Sequence, residues 1–270
     1  ATGLHRPTTE EEQRKMFGDT IVDNEKIVAN DAFNPEQFVK LGDLPSGAEF
    51  YVNKIAADAD LLITEGFIEP HFFAGFSGGR KSILPGVSSK VTVLGNHCSK
   101  FIDSPYSRTG ILEGNPIHKD MIAASKMAHQ KYIVNVIIDA DKKVVHAVAG
   151  DAIEAHAAGC KFLQDYCQVV PKKAADIAIS TNGGYPLDQN MYQSVKGMTA
   201  AEAAAKDDGI LIMVSNCGDG HGGEGFYEAL KNCSSPADLM AEILKVPQDQ
   251  TKPDQWEYQI QCRILMQHKV

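Results

Sequence analysis

The order of hydrophobic and polar positions in the first half of the chain predicts short strands that alternate with helices. Thr9 and Glu12 have the spacing of a capping box, so a helix should begin near Thr8 or Thr9. The run at 58–67 is apolar throughout, as in a buried strand. Segment 90–97 fits either a short strand or the start of a helix. The other predicted elements are strands at 48–56, 131–139 and 142–150 and helices at 118–130 and 152–167.

At Pro171 the pattern restarts with a strand, a helix and a second strand, which is typical of a βαβ unit. Asp188 is the expected cap of that helix. The predicted elements are strands at 175–182 and 209–217 and helices at 188–206, 224–231, 236–245 and 255–267. We therefore predict an α/β fold of two α/β domains, at 1–168 and 173–270, with the active-site cleft between them. Ala1 opens in what resembles the end of a strand, so we expect the first domain to be incomplete at its start.

Composition narrows the class of protein. The 270 residues are 43% hydrophobic and 23% charged, as in a globular protein, and the formal net charge of -9 argues against a nucleic-acid-binding surface. No apolar run approaches the roughly 18 residues of a membrane span. The six cysteines include no C-x-x-C pair, which indicates reduced thiols and a cytoplasmic protein.

A glycine-rich basic loop, EPHFFAGFSGGRKSILPG at 69–86, follows the apolar run at 58–67. Its glycines allow close backbone approach, and successive free N–H groups in such a loop bind phosphate. It nearly matches a Walker A loop, but Arg80 separates Gly79 from Lys81. The alternative is a tight surface turn with solvated charges. The three phenylalanines of the loop instead favour a pocket enclosed by aromatic side chains. The expected phosphate contacts are Ser77, Gly78, Gly79 and Arg80.

A second loop, GDGHGGEG at 218–225, contains G-x-G-x-x-G between a predicted strand and a predicted helix, the context of a dinucleotide site. The fingerprint also needs an acidic residue about 20 positions later, at the end of a strand. Asp238 has that distance but lies in a helical pattern. An NAD-dependent dehydrogenase using this loop is therefore an alternative function.

The nine histidines include no H-x-x-x-H pair and no cysteine partners for a zinc site. His5, His71 and His97 each follow a predicted strand and lie in a loop. Because the carboxyl ends of strands in α/β folds gather at one crevice, we expect these three to converge there and to handle protons.

Together these motifs resemble the nickel-pincer lactate racemase family. The resemblance covers nearly the whole chain, and the loop at 69–86 is its most specific part. The matching segments are ATGLHRP, EPHFFAGFSGGRKSILPG, GNH, GNPIHKDM, GGYPLDQNMYQSVKG and DQWE.

The resemblance implies a cofactor, a nickel ion held in a pyridinium mononucleotide with two sulfur-bearing carbonyl groups. Lys81 would join this nickel-pincer nucleotide through a thioamide, and His97 would be the one protein ligand to nickel. His5 and His71 would be the two acid/base residues. The matching contacts from the second domain are Tyr192, Gln193, Lys196 and Trp256.

The implied function is racemisation or epimerisation of a 2-hydroxy acid, with lactate as the default and a larger acid as an alternative. One histidine removes the hydroxyl proton while the cofactor takes the Cα hydrogen as hydride, and hydride then returns to the other face. The implied partners are the small acid and the enzymes that build the cofactor, with no nucleic acid and no membrane. A non-catalytic nucleotide- or nickel-binding protein using residues 75–82 is a further alternative.

Overall fold

The structure, a computed structural model, describes residues 2–270. Three short 3-10 helices, Pro35–Gln37, Gly79–Ser82 and Gln248–Gln250, interrupt the sequence of regular elements. The helices and strands in chain order are α1 (Glu10–Phe17), α2 (Asp19–Asn24), β1 (Phe38–Asp43), β2 (Glu49–Asn53), α3 (Lys54–Ala57), β3 (Leu62–Phe67), β4 (Pro70–His71), β5 (Gly75–Phe76), α4 (Lys90–Asn96), α5 (Ser99–Asp103), α6 (Pro116–Met127), β6 (Gln130–Ile138), β7 (Val144–Gly150), α7 (Glu154–Cys167), β8 (Ala175–Thr181), α8 (Met191–Glu202), β9 (Ala205–Val214), α9 (Glu224–Lys231), α10 (Pro236–Ile243) and α11 (Gln255–Gln267).

The predicted α/β class and most of the predicted elements are confirmed. Thr9 caps α1 in a complete capping box with Glu12, so two donors of the first turn are satisfied reciprocally. The prediction for the cap of α8 is wrong, because Asn190 rather than Asp188 accepts the N–H of Gln193. Segment 90–97 forms a helix, α4, rather than a strand.

Contacts divide the chain into two compact units. The first comprises the residues up to Asn96 together with Arg108–Cys167, and the second comprises His97–Ser107 and Gln168–Val270. The predicted boundary near 168–173 lies close to the passage from one unit to the other. The short segment 97–107 also packs with the second unit. The predicted domains were contiguous and placed this segment in the first domain.

In the first unit, β6 is the central strand of a three-stranded sheet. It pairs in parallel with β3 and antiparallel with β7, the hairpin expected from the turn at 139–141. Helix α7 packs on one face of this sheet, where Ile68, Phe76 and Ile137 meet Cys160 and Leu163 in a buried cluster. Since β3 leads directly to β4 and β5, this sheet carries the glycine-rich loop.

In the second unit, β8 and β9 pair in parallel, and α8 connects them as the predicted βαβ unit. Val195 and Met198 of α8 are buried. Helices α9 and α10 pack on α11, and α11 also packs on α5 and α8. Helix α11 is therefore the centre of this unit.

The prediction that the run at 58–67 is a buried strand is wrong. Ile63 and Phe67 of β3 are 51% and 45% exposed, and Ile179 of β8 is 68% exposed. Apolar side chains of β3 and β8 thus lie at the surface, as Val134 of β6 also does. None of the helices within residues 2–270 is long and apolar enough to span a membrane.

Neighbouring positions of β6 test the assignment of buried and exposed faces, because Ile133 is fully buried and Val134 is 44% exposed. We expect Ile133→Ala to lower the free energy of unfolding by about 2–5 kcal/mol, since it leaves a cavity. Val134→Ala should cost less than about 1 kcal/mol. Urea titration of both variants measures the difference, and equal losses would contradict the assigned faces.

Candidate active site

The glycine-rich loop opens with a very tight hairpin. His71 pairs with Gly75 between β4 and β5, and the chain then passes through Gly78 and Gly79 with φ of 75° and 53°. A Cβ on Gly79 would lie 2.6 Å from the ring of His156, so only glycine fits there. The glycines serve close packing of the loop on α7.

Arg80 holds this loop together from inside. Its side chain has no exposed surface, and its guanidinium donates to the carbonyl oxygens of Ala74 and Phe76, each at 2.7 Å. Nη1, the atom that donates to Phe76, also lies 3.3 Å from the carbonyl oxygen of Gly78. The planar fork thus connects three carbonyls from five consecutive loop positions.

Two imidazoles complete the surroundings of Arg80. Its Nε donates to His118 Nδ1 at 3.0 Å, and Nη1 lies 3.1 Å from His156 Nε2. Burial, with the guanidinium charge as the second cause, lowers the pKa of His118 to about 4 and that of His156 to about 3. Both rings are therefore neutral at pH 7. Burial lowers the pKa of Arg80 itself to about 10, so the guanidinium remains charged.

These contacts differ from the phosphate contacts that the sequence predicted. The guanidinium of Arg80 faces the protein interior, which removes it from any ligand on the surface of the loop. The N–H of Ser77 donates to Glu69 O at 2.9 Å, and the N–H of Gly79 donates to Asn135 Oδ1 at 2.8 Å. We therefore no longer assign these groups to the binding of a phosphate. The backbone of Gly78 packs closely against Ile68 and Asn135.

His71 and Lys81 meet at the surface of this braced loop. Lys81 Nζ lies 3.0 Å from His71 Nε2, and the N–H of Ala74 donates to His71 Nδ1 at 3.2 Å. Phe72 stacks on the imidazole, with 5.0 Å between ring centroids, and Phe73 meets it edge-on at 4.6 Å. The predicted pair is thus brought into direct contact inside an aromatic wall.

His5 lies in a segment that is tied to the same loop. The N–H of Gly3 donates to Gly86 O at 3.1 Å, and the N–H of Gly86 donates to Lys81 O at 3.0 Å. His5 is exposed two residues after the first of these bonds. It lies in a turn before α1, and the predicted strand that ends at Ala1 lies outside the described residues.

In the second unit, the predicted residues of α8 share its first turns. The N–H of Gln193 donates to the Asn190 cap, and Lys196 Nζ donates to Gln193 Oε1 at 2.7 Å. The hydroxyl of Tyr192 lies near the side chains of Trp256 and Asp254. Burial and the neighbouring carboxyl groups raise the pKa of Tyr192 well above its usual range, so the phenol keeps its proton.

His97 and Trp256 lie against each other within this unit. Their rings meet edge-on with 5.1 Å between centroids, and His97 is only 4% exposed. The expectation that His97 follows a strand is wrong, because it follows α4 and immediately precedes α5. The indole therefore contacts His97 and lies near the hydroxyl of Tyr192.

Glu257 is a buried acid that the sequence reasoning did not identify. It is 1% exposed on α11, next to Trp256, and one carboxyl oxygen has no hydrogen-bond partner within the described residues. Burial raises its pKa to about 8, while Lys196 opposes this shift and Asp254 adds to it. The available signal was the set of polar residues on α11, a helix that packs on four others. That set includes Gln255, Glu257, Gln259 and Gln261, all buried.

The second glycine loop does not form the dinucleotide fingerprint. Gly218 and Gly223 follow β9 and precede α9, but Asp238 belongs to the first turn of α10, where its N–H donates to the Ser235 hydroxyl and its carboxylate accepts from that hydroxyl. A Cβ on Gly222 would lie 2.7 Å from Tyr192, so glycine there permits packing on α8. The loop supports Tyr192 rather than offering the acidic group that a ribose needs.

Within residues 2–270, no three His, Cys, Asp or Glu side chains come together as a metal site. The six cysteines are free thiols. Burial raises the pKa of Cys160 and of Cys262 to about 12 each, so neither is a thiolate at neutral pH.

Comparison with known proteins was made for the whole chain. Residues 1–110 match the family model of the lactate racemase N-terminal domain, and residues 170–270 match that of the lactate racemase C-terminal domain. Over all 270 residues the chain is 57% identical to the lactate racemase of Thermoanaerobacterium thermosaccharolyticum and 53% identical to that of Lactiplantibacillus plantarum. The chain belongs to the lactate racemase family. It spans 63% of the length of each of these relatives.

Solved structures show the same relationship. The lactate racemase apoprotein of Thermoanaerobacterium thermosaccharolyticum superposes on all of this lactate racemase family chain with a TM-score of 0.98, the chain covering 64% of it. A Thermotoga maritima protein that is 20% identical has a TM-score of 0.72, with 96% of this chain and 68% of that protein covered. The second likeness concerns the fold alone.

Replacing Arg80 tests the bracing of the loop in this lactate racemase family member. We expect Arg80→Met to lower the free energy of unfolding by about 3 kcal/mol or more, because buried carbonyl oxygens lose charged donors. Arg80→Lys should also destabilise, since an ammonium cannot reach three carbonyls in one plane. Arg6→Met, which removes an exposed ion pair with Glu12, is the control and should leave the urea midpoint unchanged. Wild-type stability of both Arg80 variants would contradict the bracing role.

Replacing Glu257 tests its burial in the lactate racemase family fold. Because the folded-state pKa is raised above the unfolded value, the folded state holds an extra proton, and stability falls as pH rises from about 5 to 8. The slope is at most about 1.4 kcal/mol per pH unit. We expect Glu257→Gln to lack this loss, so its stability relative to wild type should increase with pH. Denaturation at several pH values measures this, with exposed Glu242→Gln as a control that should follow wild type.

Proposed function

We propose that this protein racemises or epimerises a 2-hydroxy acid, lactate or a related acid, with a nickel-pincer nucleotide attached to Lys81. The observation that carries the proposal is the 3.0 Å contact between Lys81 Nζ and His71 Nε2. It places an amine that can form a covalent link beside an imidazole that can move a proton. The names of the relatives, both lactate racemases, support the choice of reaction.

The residues present fit this cofactor. A group that brings its own carbon and sulfur ligands needs little from the protein beyond one imidazole, and nickel accepts such soft donors together with histidine. His97, almost buried against Trp256, is the residue we assign as that ligand. Tyr192, with its proton retained, and Lys196 are the groups that we assign to polar contacts with cofactor and substrate.

When bound, the cofactor supplies a carbon that accepts the substrate's Cα hydrogen as hydride and returns it. The chain's own residues handle the proton of the substrate hydroxyl. His71 would take it from one enantiomer and His5 from the other, because the two enantiomers present that hydroxyl in two positions. The ammonium of Lys196 would neutralise the substrate carboxylate, and Gln193 orients this ammonium.

The aromatic side chains beside His71 would limit the access of water to the reacting proton. Phe72 and Phe73 are buried and contact the imidazole from two directions. Fixed in this way, the ring can transfer a proton with little reorganisation. The enzymes that build the cofactor would be the protein's partners, and its free thiols agree with the reducing cytoplasm in which we place it.

Intact-protein mass spectrometry tests the proposal. We expect protein made together with the cofactor-building enzymes to gain a nickel-containing adduct on Lys81, and Lys81→Arg to gain none. His5→Asn should keep the adduct and lose at least about 100-fold in racemisation rate, the scale of general acid–base catalysis. His146→Asn, a histidine stacked on Phe162, is the control and should retain both.

Three results would contradict the proposal. One is a nickel adduct at another lysine, and a second is full racemisation by His5→Asn. The third is protein that binds NADH and retains no nickel, as the dehydrogenase alternative requires. Nickel binding without any change of chiral hydroxy acids would favour the non-catalytic alternative.

A further inference from the structure

The geometry around His71 points to a second role for this residue: it holds Lys81 as a neutral, nucleophilic amine before anything is attached to it. The inference deepens the proposed function, in which Lys81 carries the cofactor. It concerns the protein alone and the way in which the covalent bond forms.

Hydrogen-bond donors and acceptors at His71 decide the position of the protons. The N–H of Ala74 donates to Nδ1 at 3.2 Å, and the N–H of Phe73 also points to this atom at 3.5 Å. Nδ1 is therefore an acceptor and carries no proton. A neutral imidazole with a bare Nδ1 has its proton on Nε2, and a doubly protonated ring is excluded.

The proton on Nε2 determines the state of Lys81. Nζ lies 3.0 Å from Nε2, so the imidazole donates and the amine accepts. An ammonium group has three donors and no acceptor, so it cannot take part in this bond. The contact is consistent only with an amine that has lost its extra proton.

The surroundings act in the same direction. Phe72 and Phe73 exclude water from one side, and desolvation disfavours an ammonium. The neighbouring residue Arg80 places a buried positive charge within the same loop, which disfavours a second one. The ring of Phe73 attracts a cation, but its centroid is 5.9 Å from Nζ, near the limit of such contacts.

A neutral amine matters because an ordinary lysine is deprotonated in only about one molecule in 2,500 at pH 7. In the attachment step, the lone pair of Nζ forms a bond to the carbon of a thiocarboxylic acid. The C–O bond of that acid breaks with its electron pair on oxygen. His71 gives its Nε2 proton to the departing hydroxyl, which leaves as water, and takes one amine proton in its place. The products are a thioamide and water, so no oxidant or reductant is needed.

Attachment also changes the bonding of His71. A thioamide nitrogen is no longer an acceptor, because its lone pair is delocalised, and its remaining N–H would face the Nε2–H of the ring. The bond between the two side chains is therefore lost when the link forms. His71 then becomes available to the substrate hydroxyl only in protein that already carries its cofactor. To take the hydroxyl proton there, the ring must change to the tautomer with a bare Nε2.

Amine labelling of cofactor-free protein tests the inference. At pH 7, with limiting acetylating reagent, peptide mass spectrometry gives the acetylation rate of Lys81 relative to exposed Lys245 of the same molecule. We expect Lys81 to react at least ten times faster than Lys245. His71→Asn keeps an acceptor for the N–H of Ala74 but has no group at the position of Nε2. It should lower the acetylation rate of Lys81 relative to Lys245 at least tenfold. His71→Gln should do the same, because its carbonyl oxygen favours an ammonium.

His146→Asn is the matched control and should leave the relative rate unchanged. Hydrogen exchange at the amides of Phe73 and Ala74 in His71→Asn shows whether the loop is still folded, as we expect. The inference is overturned if Lys81 of the wild type reacts no faster than Lys245. It is also overturned if His71→Asn and His71→Gln leave the rate of Lys81 as it is in the wild type.

The result is separable from that of the proposed function. A fast Lys81 in a protein that never gains nickel would contradict the proposed cofactor and leave this inference intact. A slow Lys81 in a protein that gains the normal adduct would contradict this inference alone.

Discussion

The guanidinium of Arg80 is the interaction on which the candidate site depends. It lies without exposed surface between the carbonyls of Ala74 and Phe76 and the ring nitrogens of His118 and His156. A buried cation is costly unless its donors are satisfied, and here backbone oxygens and neutral imidazoles satisfy them. One of these carbonyls belongs to the turn between β4 and β5 and the other to β5 itself. The charge that satisfies them therefore also fixes the direction in which His71 and Lys81 project.

Sequence patterns predicted the elements that interactions between residues close in sequence determine. The capping box at Thr9, the hairpin of β6 and β7 and the βαβ unit of β8, α8 and β9 follow from periodicity and cap chemistry, and all are present. The contact of His71 with Lys81 was less accessible, since ten positions separate them along the chain. The family resemblance named both residues, but only the structure shows that their nitrogens meet.

The role of Arg80 could not be read from the sequence, because an arginine between glycines and a lysine has the chemistry of an anion site. Whether its side chain turns outward or inward depends on contacts from α6 and α7, which are remote along the chain. The burial of Glu257 is a similar case. Its helix alternates polar and apolar residues, and its buried positions include Gln255, Gln259 and Gln261, so periodicity gives no warning that Glu257 is buried as well.

Arg80 and Lys81 are adjacent basic residues with opposite tasks, and the physics of their side chains explains why they are not interchangeable. Position 80 needs a cation that stays charged when fully buried and that reaches several carbonyls in one plane, which a guanidinium does. For the proposed attachment, position 81 would need a group that gives up its proton beside an imidazole and then acts as a nucleophile, which an amine does and a guanidinium does not. The order Arg–Lys therefore follows from one loop having to be rigid within and reactive at its surface.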